Sequence, residues 1–302
     1  MAVTPSRAAV PALPALTSIE HERRTEFSRA WRRFKRYRPG LVGLAFILLL
    51  FFLAIFAPLI APYDPNTGET SLRGASPTRE FLLGNDHIGR DVLSRMIYGT
   101  RIALIAGIGA TAIAVAIGVL IGATAGHFRG WTDSLLSRIV DALMAFPTLA
   151  LLITLAAVVG PSLTTVVITI GTTVWASYAR VVRADVLSLR ERDFILAARA
   201  AGAGNARIIL RHMLPNALGP VIVLATLAVG NIIILESALS FLGLGVKPPT
   251  ASWGGMLSDG RAYMRTYPHI SIAPGIAITL TVLAFNLLGD GLRDALDPRQ
   301  KE

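Results

Sequence analysis

From Leu41 to Ala61 the chain carries no charged side chain. The hydrocarbon core of a bilayer is crossed by about 20 apolar residues of helix. Within that core each backbone N–H and C=O needs a partner inside its own segment, so a single run of this kind must be helical. The pattern recurs over residues 101–126, 143–160, 163–182, 218–239 and 272–288, with few charges in any of them. Six such runs predict an all-α integral membrane protein with six transmembrane helices.

Charge sets the expected threading. Charged residues are 16% of the 302, against about 25% in soluble domains. A net charge of +10 would suit a nucleic-acid surface, but here the basic residues lie between apolar runs. Lys and Arg collect in cytoplasmic loops. With both termini inside, segments 1–40, 127–142, 180–218 and 291–302 hold 21 of them, and 63–101 and 241–270 hold 8. The bias predicts a multi-pass protein with both termini and the loop 183–216 in the cytoplasm, in contact with lipid and not with nucleic acid.

Local signals fill in the connections. Residues 1–25 are rich in Pro and Ala and read as a disordered arm. Pro5, Pro11 and Pro14 interrupt the first twenty residues, so no cleavable signal peptide is expected. In 26–38, Phe27, Trp31 and Phe34 recur at helical spacing among basic residues. That fits an interfacial helix, or a plain basic flank giving the same orientation. The turn Ala61-Pro62-Tyr63-Asp64-Pro65 ends the first span. Ile88, Val92, Leu93, Met96 and Ile97 share a helical face, which predicts a separate helix lying on the membrane, with Asp91 and Arg95 paired at i, i+4.

The stretch from Phe194 to Asn216 is a basic, Ala-rich island between apolar runs. Alanines favour a first short helix. Gly202 and Gly204 are placed to stop it in a left-handed turn. Asn205 would cap a second helix over 206–214, and Pro215 would end that one. Ala197, Ala198, Ala201 and Gly202 make a knob of low profile, over which another protein's groove can approach the backbone closely. The same pattern also fits an ordinary loop between spans.

Chemistry of other kinds finds little footing. The lysines are Lys35, Lys247 and Lys301, none in a phosphate-binding Gly-x4-Gly-Lys-Ser/Thr loop. The histidines, His21, His87, His127, His212 and His269, lack metal-ligand spacing. There are no cysteines, and no serine sits in a Gly-x-Ser-x-Gly setting. The expectation is a chain that is no enzyme and binds no cofactor or metal itself. Polar groups within spans are costly and often functional. Glu236, with Asn231 on the same run, reads either as a wall of a translocation path or as an interfacial or helix–helix hydrogen-bonding group. Asn286 and Asp290 read as anchors at the inner end of the last span.

Several stretches resemble one family. Ala197-Ala198, Gly202 and the closing Leu214-Pro215 are similar to the Glu-Ala-Ala-x3-Gly loop by which bacterial ABC importer permeases dock on their ATPases. Leu196 stands where the family has Glu. Leu83-Gly-Asn-Asp-His-Ile-Gly-Arg-Asp91, Leu239 to Thr250, Trp253-Gly254 and Pro274 to Arg299 resemble the second permease subunit of dipeptide, oligopeptide and nickel importers. The resemblance implies an ABC importer type-I permease core. Its parts would be a cytoplasmic arm (1–38), a first span with an extracytoplasmic loop (39–100), a five-helix core (101–290) whose coupling loop is 183–216, and a cytoplasmic tail (291–302). It also implies ATPase docking at Ala197, Ala198, Gly202, Leu214 and Pro215, and a heterodimer with a homologous permease. Two cytoplasmic ATPases would hold the ATP, and an extracytoplasmic binding protein would deliver a peptide, nickel, opine or other small solute. The place would be a bacterial inner membrane. A secondary carrier would need no docking loop, and its usual internal repeats are not evident.

Overall fold

The computed structural model describes residues 31–296. The arm over 1–25, Phe27 and the last part of the tail lie outside them. Residues 31–36 are helical. Then follow α1 (Arg38–Ile55), α2 (Ala57–Ile60), α3 (Val92–Phe128), α4 (Gly130–Ala145), α5 (Thr148–Val159), α6 (Leu163–Leu189), α7 (Asp193–Ala200), α8 (Asn205–Arg207), α9 (Leu214–Phe241), α10 (Trp253–Gly260) and α11 (His269–Leu296). A π-helical turn, Ile208–Met213, joins α8 to α9. No strand occurs among the described residues.

Among the described residues five helices are long and apolar enough to cross a membrane, and the bent pair α4–α5 makes a sixth candidate when taken as one span. The bend is 88° and falls at Phe146-Pro147. A proline pushes the residue before it into extended backbone, and Phe146 has ψ 139°. With 12 residues, α5 is about 18 Å long, too short to cross alone. The expected third span is thus a broken one.

The spans leave two ends. Residues 63–91 and 249–268 form a cap at one end; Arg129 and residues 190–213 lie at the other, the loop end. Between them α3 and α6 form the central pair. Gly118, Gly122 and Gly126 bring α3 against α6; a Cβ on Gly118 would meet the Trp175 carbonyl at 2.8 Å, and one on Gly126 the Arg183 carbonyl at 2.9 Å. In a membrane, where lipid is as apolar as leucine, such close packing of small residues drives helix association.

Four local expectations need correction. No separate surface helix exists at 88–99: Asp91 caps α3 by accepting from Ser94 N at 2.7 Å, and that helix runs unbroken for 37 residues. Asp91 and Arg95 are consequently not an i, i+4 pair; Arg95 Nε lies 3.6 Å from Asp86 instead. Pro215 does not end a helix. The chain continues through it into α9, because the wider π turn, with Leu214 N bonded to Ile209 O, accommodates the ring. Finally, Phe34 is buried rather than held among headgroups; a Cβ on Gly291 would touch its ring at 2.9 Å.

Candidate functional site

The loop end carries the island noted in the sequence. Helix α7 begins after Arg192 and stops at Gly202, which has φ +78°. Two hydrogen bonds close the stop: Gly202 N donates to Arg199 O at 2.9 Å and Ala203 N to Ala198 O at 3.0 Å. That pair satisfies carbonyls left over at the helix end and needs a left-handed residue, which glycine supplies without strain. Gly204 is extended, φ −69°, and begins the next turn. Asn205 was expected to cap that turn, but Gly204 takes the cap position and Asn205 is the first helical residue; its Oδ1 lies 3.1 Å from His127 Nε2.

Ala197, Gly202 and Pro215 are exposed, and Ala198 and Leu214 are half-buried. Around Gly202 and Gly204 no atom lies within 4 Å of where a Cβ would be. Ala197, Ala198 and Gly202 share one surface; Leu214 and Pro215 stand beyond the π turn. Sequence reasoning missed what holds this surface up. Ile195, Ile208 and Met213 are fully buried and pack with Ala123, Val182, Val186 and Val221. Their signal was present, as single large apolar residues in an otherwise polar and small-residue stretch. Basic groups crowd the base of the loop. Partial burial, and then the neighbouring Arg199 and Arg129, hold the Arg190 guanidinium below its ordinary pKa.

Glu236 and Asn231 do not come together. Asn231 is on the exposed side of α9, whereas Glu236 is 1% exposed. Its carboxyl group accepts from Ser240 Oγ at 2.6 Å and Ser237 Oγ at 3.3 Å. Helix α10 lies close over it: Gly254 sits against the Ser237 backbone and the Ser240 side chain. Asp290 is exposed and Asn286 half-buried on α11.

The cap holds a buried charged cluster that the sequence suggested only as a motif. Asp86, Arg90, Asp91 and Arg95 are all under 5% exposed. Asp86 accepts from Arg90 Nε at 2.6 Å and from the Ile88 and Arg90 amides at 3.0 Å. Arg90 Nη2 reaches Asp259 on α10 at 3.2 Å. Arg95 Nη1 donates to Pro65 O at 2.9 Å and to Pro249 O at 3.4 Å. Trp253 Nε1 donates to Met96 O at 3.1 Å. Among the described residues no group of three or more metal-ligating side chains gathers.

Five or six helical spans, with an exposed loop surface at one end and a cap of buried charges at the other, have the architecture of a membrane transport subunit. The chain belongs to the family of binding-protein-dependent transport system inner membrane components, which it matches over residues 114–302; it is an ABC importer permease of the oligopeptide type, a transporter subunit and not an enzyme. Residues 25–77 match the N-terminal transmembrane domain of oligopeptide transport permease C. The glutathione transport system permease protein GsiD of Escherichia coli O6:K15:H31 is 44% identical over 292 residues, 96% of each chain. The protein of that name from Shigella boydii serotype 4 is 45% identical over 279 residues, 92% of each. The inward-facing MetNI methionine ABC transporter shares the fold, with a TM-score of 0.52 and 20% identity over 68% of this chain and 96% of that one. Membership makes this a multi-pass inner-membrane protein.

Proposed function

We propose that this chain is one of two permease subunits in an ATP-driven importer of di- and oligopeptides, and that residues 190–216 dock on its ATPases. One observation carries the reading. Ala197 and Gly202 are exposed with Ala198 half-buried beside them, the space over Gly202 is open, and three buried apolar anchors lie beneath. A short helix with a bare backbone face suits a groove in a partner. Leu214 and Pro215 would complete the contact.

The excess of Lys and Arg supports placing the loop end, with both termini, in the cytoplasm. Two ATPase subunits there would bind and hydrolyse the ATP, this chain holding no cofactor. A homologous permease would complete a heterodimer, and a binding protein would deliver substrate to the cap end. Peptide-like substrates gain support from relatives named for glutathione, itself a tripeptide. ATP binding would close the ATPases and rock the two permeases; the coupling needs states that both partners bias. Glu236 and Asn231 are the polar groups of α9 that such rocking would bring to the path.

The test is uptake of labelled dipeptide and glutathione by cells lacking this chain and complemented with wild type or Gly202→Trp. Wild type should restore ATP-dependent uptake, and the variant, at equal membrane level, should not. Equal uptake by the variant would remove the docking assignment. Failure of wild type on both peptides would remove the substrate class, leaving nickel, opines and other small solutes to be scored.

A further inference from the structure

The corner between α3 and α4 is strained and fastened to the loop. Arg129 has φ 56° and ψ −164°, a backbone region that is essentially glycine-only, and strain of this kind persists only where surrounding contacts over-determine it. Three contacts do so. His127 Nε2 lies 3.1 Å from Asn205 Oδ1. Arg190 Nη1 donates to His127 O at 3.1 Å. Arg129 Nη1 lies 3.9 Å from Glu191 Oε1, both exposed. His127 is 4% exposed, and its Nδ1 has no hydrogen-bond partner, so Asn205 is the ring's one polar tie. The ring also meets Phe128 edge-on, at 5.1 Å between centroids.

We infer that His127 and Asn205 are positioning residues for coupling: their contact carries movement of the docking loop directly into the α3–α4 corner. The inference rests on the docking reading of residues 190–216. By chain connectivity the loop moves only α6 and α9, its covalent neighbours. Contact with α3 adds a third output, through the packing of Ile195, Ile208 and Met213 with Ala123 and, at the corner itself, through the His127–Asn205 contact. Beyond the corner lies α4, which turns through 88° into α5, so displacement of the corner swings this bent pair. A second tie keeps α4 in step with α6, since Arg183 Nη2 donates to Asp133 Oδ2 at 2.8 Å. The contact sits where a partner's push arrives, and it joins residues 78 apart in the chain. A structural role alone would predict loss of protein; a coupling role predicts loss of transport per ATP from a complex that still assembles.

The experiment uses the whole importer in proteoliposomes, with both permeases, the ATPases and the binding protein. Uptake per ATP hydrolysed is measured, together with the ATPase retained on purification. His127→Ala and Asn205→Ala should each keep the ATPases and lower uptake per ATP about fivefold, the scale of one hydrogen bond. The double variant should be no worse than either single one, because both remove the same contact. His127→Gln, which keeps a donor near the Nε2 position, should recover most of the loss. Gly202→Trp serves as the reference and should lose the ATPases. Losses that multiply in the double variant, an unchanged ratio in the single variants or no recovery with Gln would each overturn the inference while leaving docking intact. Full ATPase retention and uptake by Gly202→Trp would remove the docking reading, and this inference with it. Should His127→Ala fail to accumulate, the same comparison runs on Asn205→Ala and Asn205→Asp, on the exposed side of the contact.

Discussion

The two ends of this molecule solve opposite problems. At the cap, four charged side chains are buried together, and the two arginines are tied to elements distant in sequence: Arg90 to α10, Arg95 to the carbonyls of Pro65 and Pro249. At the loop end the side chains are small and the surface is bare, and three apolar anchors replace the network. Buried charges are stable only when every partner is present, so the cap behaves as a unit that forms whole or not at all. Apolar anchors are non-directional and tolerate small shifts of what rests on them. A part that must move against a partner is better mounted on the second kind of support. The contrast teaches that substitutions at the cap should read out as stability, and at the loop as transport.

The largest expected break in that contrast is Arg90→Ala. It leaves Asp86, 2% exposed, without its closest cation, and breaking a buried pair costs about 3–5 kcal/mol. Thermal unfolding of the purified complex should fall sharply, and membrane levels with it. A variant that accumulates and unfolds as wild type would show that water or a rearranged Arg95 already satisfies Asp86, and the cap would no longer count as all-or-none.

Next in size is a pair of glycines two residues apart. Both Gly202 and Gly204 have open space where a Cβ would go, so only backbone conformation separates them. Alanine at Gly202, φ +78°, should cost about 1 kcal/mol through the left-handed backbone. Alanine at Gly204, φ −69°, should change stability by less than about 0.5 kcal/mol. Asparagine at 202, which tolerates left-handed backbone, should recover part of the loss. Melting of the complex in detergent orders the three. If alanine at 202 is silent, the stop of α7 is looser than its two hydrogen bonds indicate.

The spans were legible because their signal is local. Length without charge forces a helix in lipid, and the six runs became five long helices and one bent pair. Gly202 was legible for the same reason, since a left-handed helix stop favours glycine. What escaped depends on partners far along the chain. Asp91 and Arg95 have ideal spacing for a pair, yet Asp91 turns back to cap its helix and Arg95 reaches residues 30 and 154 positions away. Pro215 breaks an isolated helix but not one that can widen to a π turn. For Glu236 the sequence left a path wall and a hydrogen-bonding group both open, because a sequence does not show that Ser237, Ser240 and α10 close over it. Asn205 has the composition of a cap, and its true partner, His127, is set only when α3 and the loop meet.

The smallest expected effect is the most informative about the docking face. Leu196 is exposed on α7, where the permeases this chain resembles carry Glu. In Leu196→Glu the new carboxylate would lie one turn from Arg192 and Arg199. Pairs at i, i+3 and i, i+4 stabilise a helix by about 0.2–0.5 kcal/mol each, so the isolated chain should become slightly more stable. Within a partner's groove the balance reverses. A charge taken out of water without a matched partner is unfavourable, and a groove fitted to Leu offers none. Uptake should therefore fall about twofold to fivefold, the range that 0.4–1 kcal/mol spans, with more of the loss recovered at low salt if the groove rim is basic. Stability rising while uptake falls is a combination that an ordinary exposed loop residue would not give. If uptake is unchanged while stability rises, position 196 points away from the ATPases, and the docking face is confined to Ala197, Ala198 and Gly202.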